Sequence, residues 1–271
     1  MGYEGRLMAN SITDLVFFSG GIGSWAAAKR VAMRSDVKNI ILLFADTLIE
    51  DEDLYRFLDD ATANINRDCT ATLIRIADGR DPWQVFEDVK YLGNTRIDPC
   101  SRILKRDLLN KWRDTHCDPG ITRLHFGIDW TESHRIDRIK ARTPEWNVSA
   151  PLCEAPYLDK PALLSWAKTE NLQTPRLYDL GFFHNNCGGM CVKSGQAQYE
   201  LLLRTLPARY AYHEKKEVEL RKKLGKNITI LRDRTGGKTR PLSLKEFRLR
   251  LQEQPDLFDK FEFGGCGCAV D

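Results

Sequence analysis

Short apolar runs alternate with longer amphipathic stretches through the first half of the chain. Residues 12–18 (ITDLVFF), 39–45 (NIILLFA), 71–76 (ATLIRI) and 122–128 (TRLHFGI) are rich in β-branched and aromatic side chains and are short enough to be buried strands. Between the first two, residues 25–34 (WAAAKRVAMR) carry alanines and straight-chain side chains that favour a helix. An acidic amphipathic helix is expected over about 51–66, and Asp81-Pro82-Trp83 starts a shorter one. The β-α-β-α-β order predicts an α/β fold with a parallel, doubly wound sheet, in which ligands bind beyond the carboxyl ends of the strands.

The pattern changes further on. A short helix is expected over 161–170, a long one over 199–223 with its apolar residues on one side, and a strand over 228–231 followed by a basic loop at 232–240. The sequence therefore divides into an expected α/β domain at 1–155 and an accessory region at 156–271. The 271 residues suffice for both, and the apolar share is that of a globular protein. No run is apolar enough to cross a bilayer and no secretory h-region is visible, so no membrane partner and a cytoplasmic location are expected.

The first strand runs into Ser19-Gly20-Gly21-Ile22-Gly23-Ser24, which opens the alanine-rich helix. A strand, a glycine loop and a helix in succession make an anion site. Glycines let backbone approach an oxyanion, N–H groups converge on it, and the helix N-terminus adds partial positive charge. The hydroxyls of Ser19 and Ser24 can donate to the same oxygens. The spacing is neither that of a Walker loop nor that of a dinucleotide fold.

Ser-Gly-Gly-x-x-Ser after a first strand resembles the PP-loop of the adenine-nucleotide alpha-hydrolase-like superfamily. The resemblance implies a five-stranded Rossmann-like sheet and a loop in which Gly20, Gly21 and Gly23, with Ser19 and Ser24, grip the pyrophosphate of ATP with Mg²⁺. Alternatively, the loop grips the sulfate or phosphate end of an adenylyl sulfate. It also makes Asp46, at the end of the second strand, a ribose or adenine contact; a helix-capping role for Asp46 is equally open. Gly127-x-x-x-x-Glu132-Ser133-x-Arg135 resembles the second signature of the phosphoadenylyl-sulfate (PAPS) reductase branch, and residues 148–152 resemble the family's fifth strand. Glu132 and Arg135 are expected to open a helix on the ligand side, with His134 the one histidine near a site.

Eight cysteines without an export signal favour metal ligation or sulfur chemistry over disulfides. Cys69 and Cys153 read as small core residues. Cys100 follows a proline and precedes Ser101, Arg102, Lys105 and Arg106, so i,i+4 spacing crowds cations around a thiol at a helix start, a setting that depresses its pKa. Cys100-x-x-x-x-Lys105 also resembles the Cys-Cys-x-x-x-Lys segment of adenylyl-sulfate reductases, whose cysteines bind an iron–sulfur cluster; here Ser101 replaces the second cysteine.

Cys187-Gly188-Gly189-Met190-Cys191 can turn two thiolates toward one centre, and Cys266-Gly267-Cys268 offers a second pair. With Cys100 these are the candidate ligands of a [4Fe–4S] cluster or, alternatively, Zn²⁺. The cluster is favoured because relatives of the fold that move sulfur often carry one. Cys266 or Cys268 could instead be the tail thiol of a reductase, although the Glu-Cys-Gly-x-His pattern of that tail is missing.

The net charge is only +3, but residues 204–250 hold 15 Lys or Arg against 5 Asp or Glu, interleaved with Tyr210 and Tyr212. That is the footprint of a surface for tRNA or DNA. The combined expectation is an ATP-dependent enzyme that adenylylates a substrate with pyrophosphate release for sulfur transfer to a nucleic acid or small molecule. Lys105 and Arg135 would stabilise the transition-state charge, and Glu132 and Cys100 would complete the catalytic set. Reduction of adenylyl sulfate or PAPS to sulfite and a non-catalytic nucleotide- or nucleic-acid-binding module are the alternatives, and a homodimer is compatible with each.

Overall fold

The period-two alternation of the first strand decides how the molecule is layered. In β1 (Thr13–Phe17), Leu15 and Phe17 face one side of the sheet and Val16 the other, and all three are buried, as a strand covered on both faces requires. A computed structural model of the chain describes residues 12–93 and 97–253. The strands β1, β2 (Asn39–Asp46), β3 (Thr70–Ala77), β4 (Thr122–Phe126) and β5 (Asn147–Ser149) form one sheet in the order β3-β2-β1-β4-β5, with every pairing parallel. This is the expected doubly wound α/β sheet. Phe17 lies in register with both Leu43 and Phe126, and the two phenyl rings stack at 4.6 Å.

One face is covered by α1 (Ile22–Ala32) and α2 (Glu52–Ile65). Ala26, Ala27 and Ala28 are wholly buried, so small side chains let α1 sit close between the sheet and α7 (Lys160–Thr169), whose Leu163 and Ala167 join the same core. The other face is covered by α5 (Leu108–His116) and α6 (His134–Arg142) through Leu109, Ile136 and Ile139. Ahead of α5, the short α4 (Pro99–Ser101) passes into a π-helical turn over Arg102–Asp107. The expected i,i+4 stacking of 101 on 105 and 102 on 106 is therefore not the geometry found: the wider turn buries Lys105 and leaves Arg102 exposed.

A third core joins α3 (Pro82–Asp88) to the later elements α8 (Arg176–Asp179), α9 (Gln196–Thr205), α10 (Pro207–Leu224), β6 (Leu231–Asp233), β7 (Arg240–Leu242) and α11 (Leu244–Glu253). The single helix expected over 199–223 is two helices, because Leu206 turns out of helical geometry before Pro207. The strand expected over 228–231 begins only at Leu231, since Ile230 N–H is taken by the Glu217 carboxylate (2.9 Å) instead of a neighbouring strand. β6 and β7 pair antiparallel inside the basic loop.

Glu217 is wholly buried and also accepts from Leu244 N–H (2.7 Å), so one side chain fixes the hairpin and α11 on α10. Burial pushes its carboxyl up to about 7, against the pull of those two N–H groups. Between about pH 4.5 and 7 the folded state then holds a proton that the unfolded state has lost, so stability falls as pH rises, by about 3 kcal/mol across the window. Denaturant midpoints across this range should show that fall, and Glu217→Gln should remove it.

No helix of the described residues is long and apolar enough to cross a membrane.

Candidate active site

The order of the sheet reverses at β1, which lies between β2 and β4, and the crevice at their carboxyl ends is where a doubly wound sheet holds a ligand. The 19–24 loop lies there. Gly20 adopts φ 74°, a left-handed turn that folds the chain back from β1 into α1. Gly21 is the N-cap of α1 and supplies no side-chain cap, so the first-turn amides depend on other partners. Ile22 N–H donates to the Tyr178 hydroxyl (3.1 Å), whereas the amides of Gly20, Gly21, Gly23 and Ser24 have no acceptor among the described residues. The Ser24 hydroxyl donates to Gly21 O (2.8 Å) and accepts from Ser19 Oγ (3.3 Å), which holds both hydroxyls within the turn. Asn185, 2% exposed, clasps the loop by donating to Gly20 O (2.9 Å).

Asp46 is at the end of β2, but its Oδ1 accepts from Leu48 N–H (2.8 Å) and from the Tyr55 hydroxyl (2.9 Å). The cap of α2 is Asp51, which accepts from Asp53 N–H, so the capping alternative for Asp46 is not what the fold uses.

Beside the loop, on the β2 side, lies a cavity lined by Thr47, Asp98, Cys100, Lys105, Cys187 and Cys191, with Lys193 at its wall. Cys100 thus shares one space with the Cys187 and Cys191 pair, which is more than eighty residues away in sequence. Its organiser is Glu50, 6% exposed: its carboxylate accepts from the Thr47 hydroxyl (2.8 Å), from Lys105 Nζ (3.3 Å) and from Cys187 N–H. Arg209 adds hydrogen bonds to the carbonyls of Ile49 (2.9 Å) and Glu50 (3.2 Å). Cys187 is held at φ 51°, a left-handed conformation costly for a residue with a side chain, and the bond to Glu50 contributes to holding it there. Lys193 pairs with Asp98 at 3.6 Å.

The thiol expected to be acidic is the reverse. Burial pushes Cys100 up to about 12, with Asp98 adding to the effect, and Lys105 offsets it only in part. Helix position alone predicts a depressed pKa; desolvation by the surrounding core outweighs it.

Arg135 is buried and donates to Glu132 Oε2 (2.8 Å), so these two residues are brought together as a pair. His134 is exposed at the start of α6. Tyr210, expected on the basic face, lies in the third core with its hydroxyl on Leu244 O (2.7 Å), leaving Tyr212 as the outward ring. Several cations of that face are paired within the fold, as Arg248 with Glu214 (2.8 Å) and Arg250 with Asp233 (2.7 Å).

Cys266 and Cys268 lie outside the described residues. Among the described residues, no group of three or more His, Cys, Asp or Glu side chains is arranged to hold a metal ion. Cys100, Cys187 and Cys191 line one cavity but do not form such a group, so the expected ligand set is not assembled among the described residues.

Glu50, Asn185 and Tyr178 were not singled out by sequence reasoning. Glu50 carries a usable signal, since a carboxylate four residues past the end of a buried strand falls at the ligand edge. Asn185 and Tyr178 carry none, because only the folding of residues 156–186 over the sheet brings them to the loop.

No protein-family model matches the sequence, and no curated protein matches it. Among solved structures the chain is similar to a PAPS reductase from Candida auris in a phosphate complex, at 14% identity over 62% of this chain and 78% of that one, with a TM-score of 0.43. It is similar to the U34-tRNA thiolase NcsA from Methanococcus maripaludis with its [4Fe–4S] cluster, at 18% identity over 80% and 75% of the two chains and a TM-score of 0.43. It is also similar to the NMN synthetase from Francisella tularensis, at 13% identity over 61% and 63% of the two chains and a TM-score of 0.37.

Proposed function

We propose that the protein binds ATP at the 19–24 loop and adenylylates a substrate, releasing pyrophosphate, as the first half of a sulfur transfer. The observation that carries the reading is the group of four loop amides, of Gly20, Gly21, Gly23 and Ser24, without acceptors among the described residues at the crevice between β1 and β4. Converging amides at a helix N-terminus favour an anion of several charges, and the pyrophosphate end of ATP with Mg²⁺ supplies one.

A substrate carbonyl oxygen would attack the α-phosphorus, forming the new O–P bond as the bond to the pyrophosphate breaks. A sulfide donor would then attack the activated carbon, forming the C–S bond as the C–O bond breaks, and AMP would leave with the oxygen. Arg135 is the cation we assign to the charge that builds on the α-phosphate: it is paired with Glu132, which is half exposed, and it opens α6 at the carboxyl end of β4. Lys105 is locked to the buried Glu50, and we assign it to the cavity wall, where its charge favours the Cys100 thiolate when sulfur is handled there. The acceptor we assign to nucleic acid, tRNA in the first instance, on the strength of the basic 204–250 segment, where Lys222, Lys226, Lys238 and Arg240 are exposed.

Ser24→Ala tests the loop. It removes the hydroxyl that holds Gly21 O and Ser19 in place, and pyrophosphate release from ATP should fall about tenfold or more at unchanged fold. Turnover and ATP affinity equal to those of the parent protein would remove the loop from the reaction.

A further inference from the structure

Part of the surroundings of the 19–24 loop comes from the segment expected to be accessory. Tyr178 in α8 reaches the loop with its hydroxyl and accepts from Ile22 N–H (3.1 Å). It comes so close that a side chain at Gly21 would start 3.2 Å from that oxygen. Burial pushes the phenol up to about 12, so at neutral pH it keeps its hydrogen, and that hydrogen has no acceptor among the described residues.

Lys160, the first residue of α7, lies against the same tyrosine. Its ammonium is 4.7 Å from the centre of the Tyr178 ring and 3.9 Å from that of Phe183. Among the described residues it pairs with no carboxylate; Asp129, in the connection after β4, is the one acidic group whose charge it feels. A cation held between two aromatic faces without a counter-ion is desolvated and costly, and a nearby anion lowers that cost more than it would for a lysine in water. Asn185 provides an independent sign of an incomplete site. Nearly fully buried, it gives its amide to Gly20 O, while its Oδ1 has no donor among the described residues.

We propose that Lys160 and Tyr178 form the second half of the phosphate site. The Tyr178 hydroxyl relays the Ile22 N–H to a terminal phosphate oxygen, and the Lys160 ammonium neutralises the same group. The ligand class is the pyrophosphate end of a nucleoside triphosphate, so the proposal rests on the ATP reading above and extends it to two residues outside the loop. Docking of the 156–183 segment onto the sheet then becomes a condition for tight nucleotide binding.

Isothermal titration of the full chain with Mg·ATP, and with inorganic pyrophosphate, tests this. Lys160→Met is expected to raise the Kd of both ligands tenfold or more, Tyr178→Phe to raise it severalfold, and Lys160→Arg to retain most of the affinity. Lys160 faces Asp129 and Tyr178, and burial brings its ammonium down to about 8. Binding of ATP at pH 8.5 should therefore take up roughly half a proton or more in the parent protein, and Lys160→Arg should abolish that uptake while still binding. That signature remains readable if Lys160→Met does not fold. Parent-like affinity in a folded Lys160→Met, or unchanged proton uptake in Lys160→Arg, overturns the proposal while leaving the loop assignment intact if Ser24→Ala is impaired. Absence of any ATP or pyrophosphate binding by the parent protein overturns both.

Discussion

Replacing Glu50 by alanine should cost the folded state about 3–5 kcal/mol, the range for removing one partner of a buried ion pair. Three groups lose Glu50 as an acceptor at once: the ammonium of Lys105, 6% exposed; the hydroxyl of Thr47; and the N–H of Cys187. The lysine loses the carboxylate it is paired with, in a place with little water. Cys187, in a left-handed conformation, loses the bond from its N–H to Glu50. Glu50→Gln keeps the volume and one carbonyl acceptor and should cost roughly half as much. Denaturant unfolding gives the stabilities, and labelling of Cys187 with a thiol reagent reads the loop, which should react faster in Glu50→Ala than in the parent protein. A loss under about 1 kcal/mol, with Cys187 still protected, would show that Glu50 does not organise the cavity.

Gly127→Val should abolish nucleotide binding more completely than any change to the loop's own side chains. A Cβ at Gly127 would lie 3.0 Å from both Cα and N of Ser24 and 3.1 Å from the carbonyl carbon of Gly23. These are backbone atoms of the first turn of α1, so no flexible side chain can yield. Either β4 or α1 must move, at a cost of about 1–3 kcal/mol, and the moved part carries the amides that the phosphates need. The Kd for ATP should rise more than tenfold with the protein still folded. An unchanged Kd would mean that the spacing between β4 and α1 is irrelevant to the site.

These two residues also show how unevenly the site was written into the sequence. Gly127 stands out in the sequence as the head of the Gly127-x-x-x-x-Glu132-Ser133-x-Arg135 pattern at the end of the fourth strand, and the structure puts the backbone of Ser24 against it. For Glu50 the sequence offers only its position past the end of the second strand. In the sequence it is one acidic residue among several before an amphipathic helix, and only the arrival of Lys105 and Cys187 from distant segments gives it a role. Cys100 illustrates the converse: its local sequence suggests an activated thiol, yet its pKa is set by what buries it, and burial raises it.

The local sequence determined the parallel sheet and the helices on its two faces through its hydrophobic pattern, and the turn after the first strand through its glycines. Each of these depends on interactions within a few residues or on the period-two repeat of a strand buried on both faces. The tertiary structure alone decided that Glu50 ties Lys105 and Cys187 together beside the cavity, that Tyr178 and Asn185 reach the 19–24 loop, and that Tyr210 belongs to the core instead of the surface. Those outcomes follow from how residues 156–253 pack over the sheet edge. Packing brings together residues more than a hundred positions apart, and no local periodicity encodes such contacts.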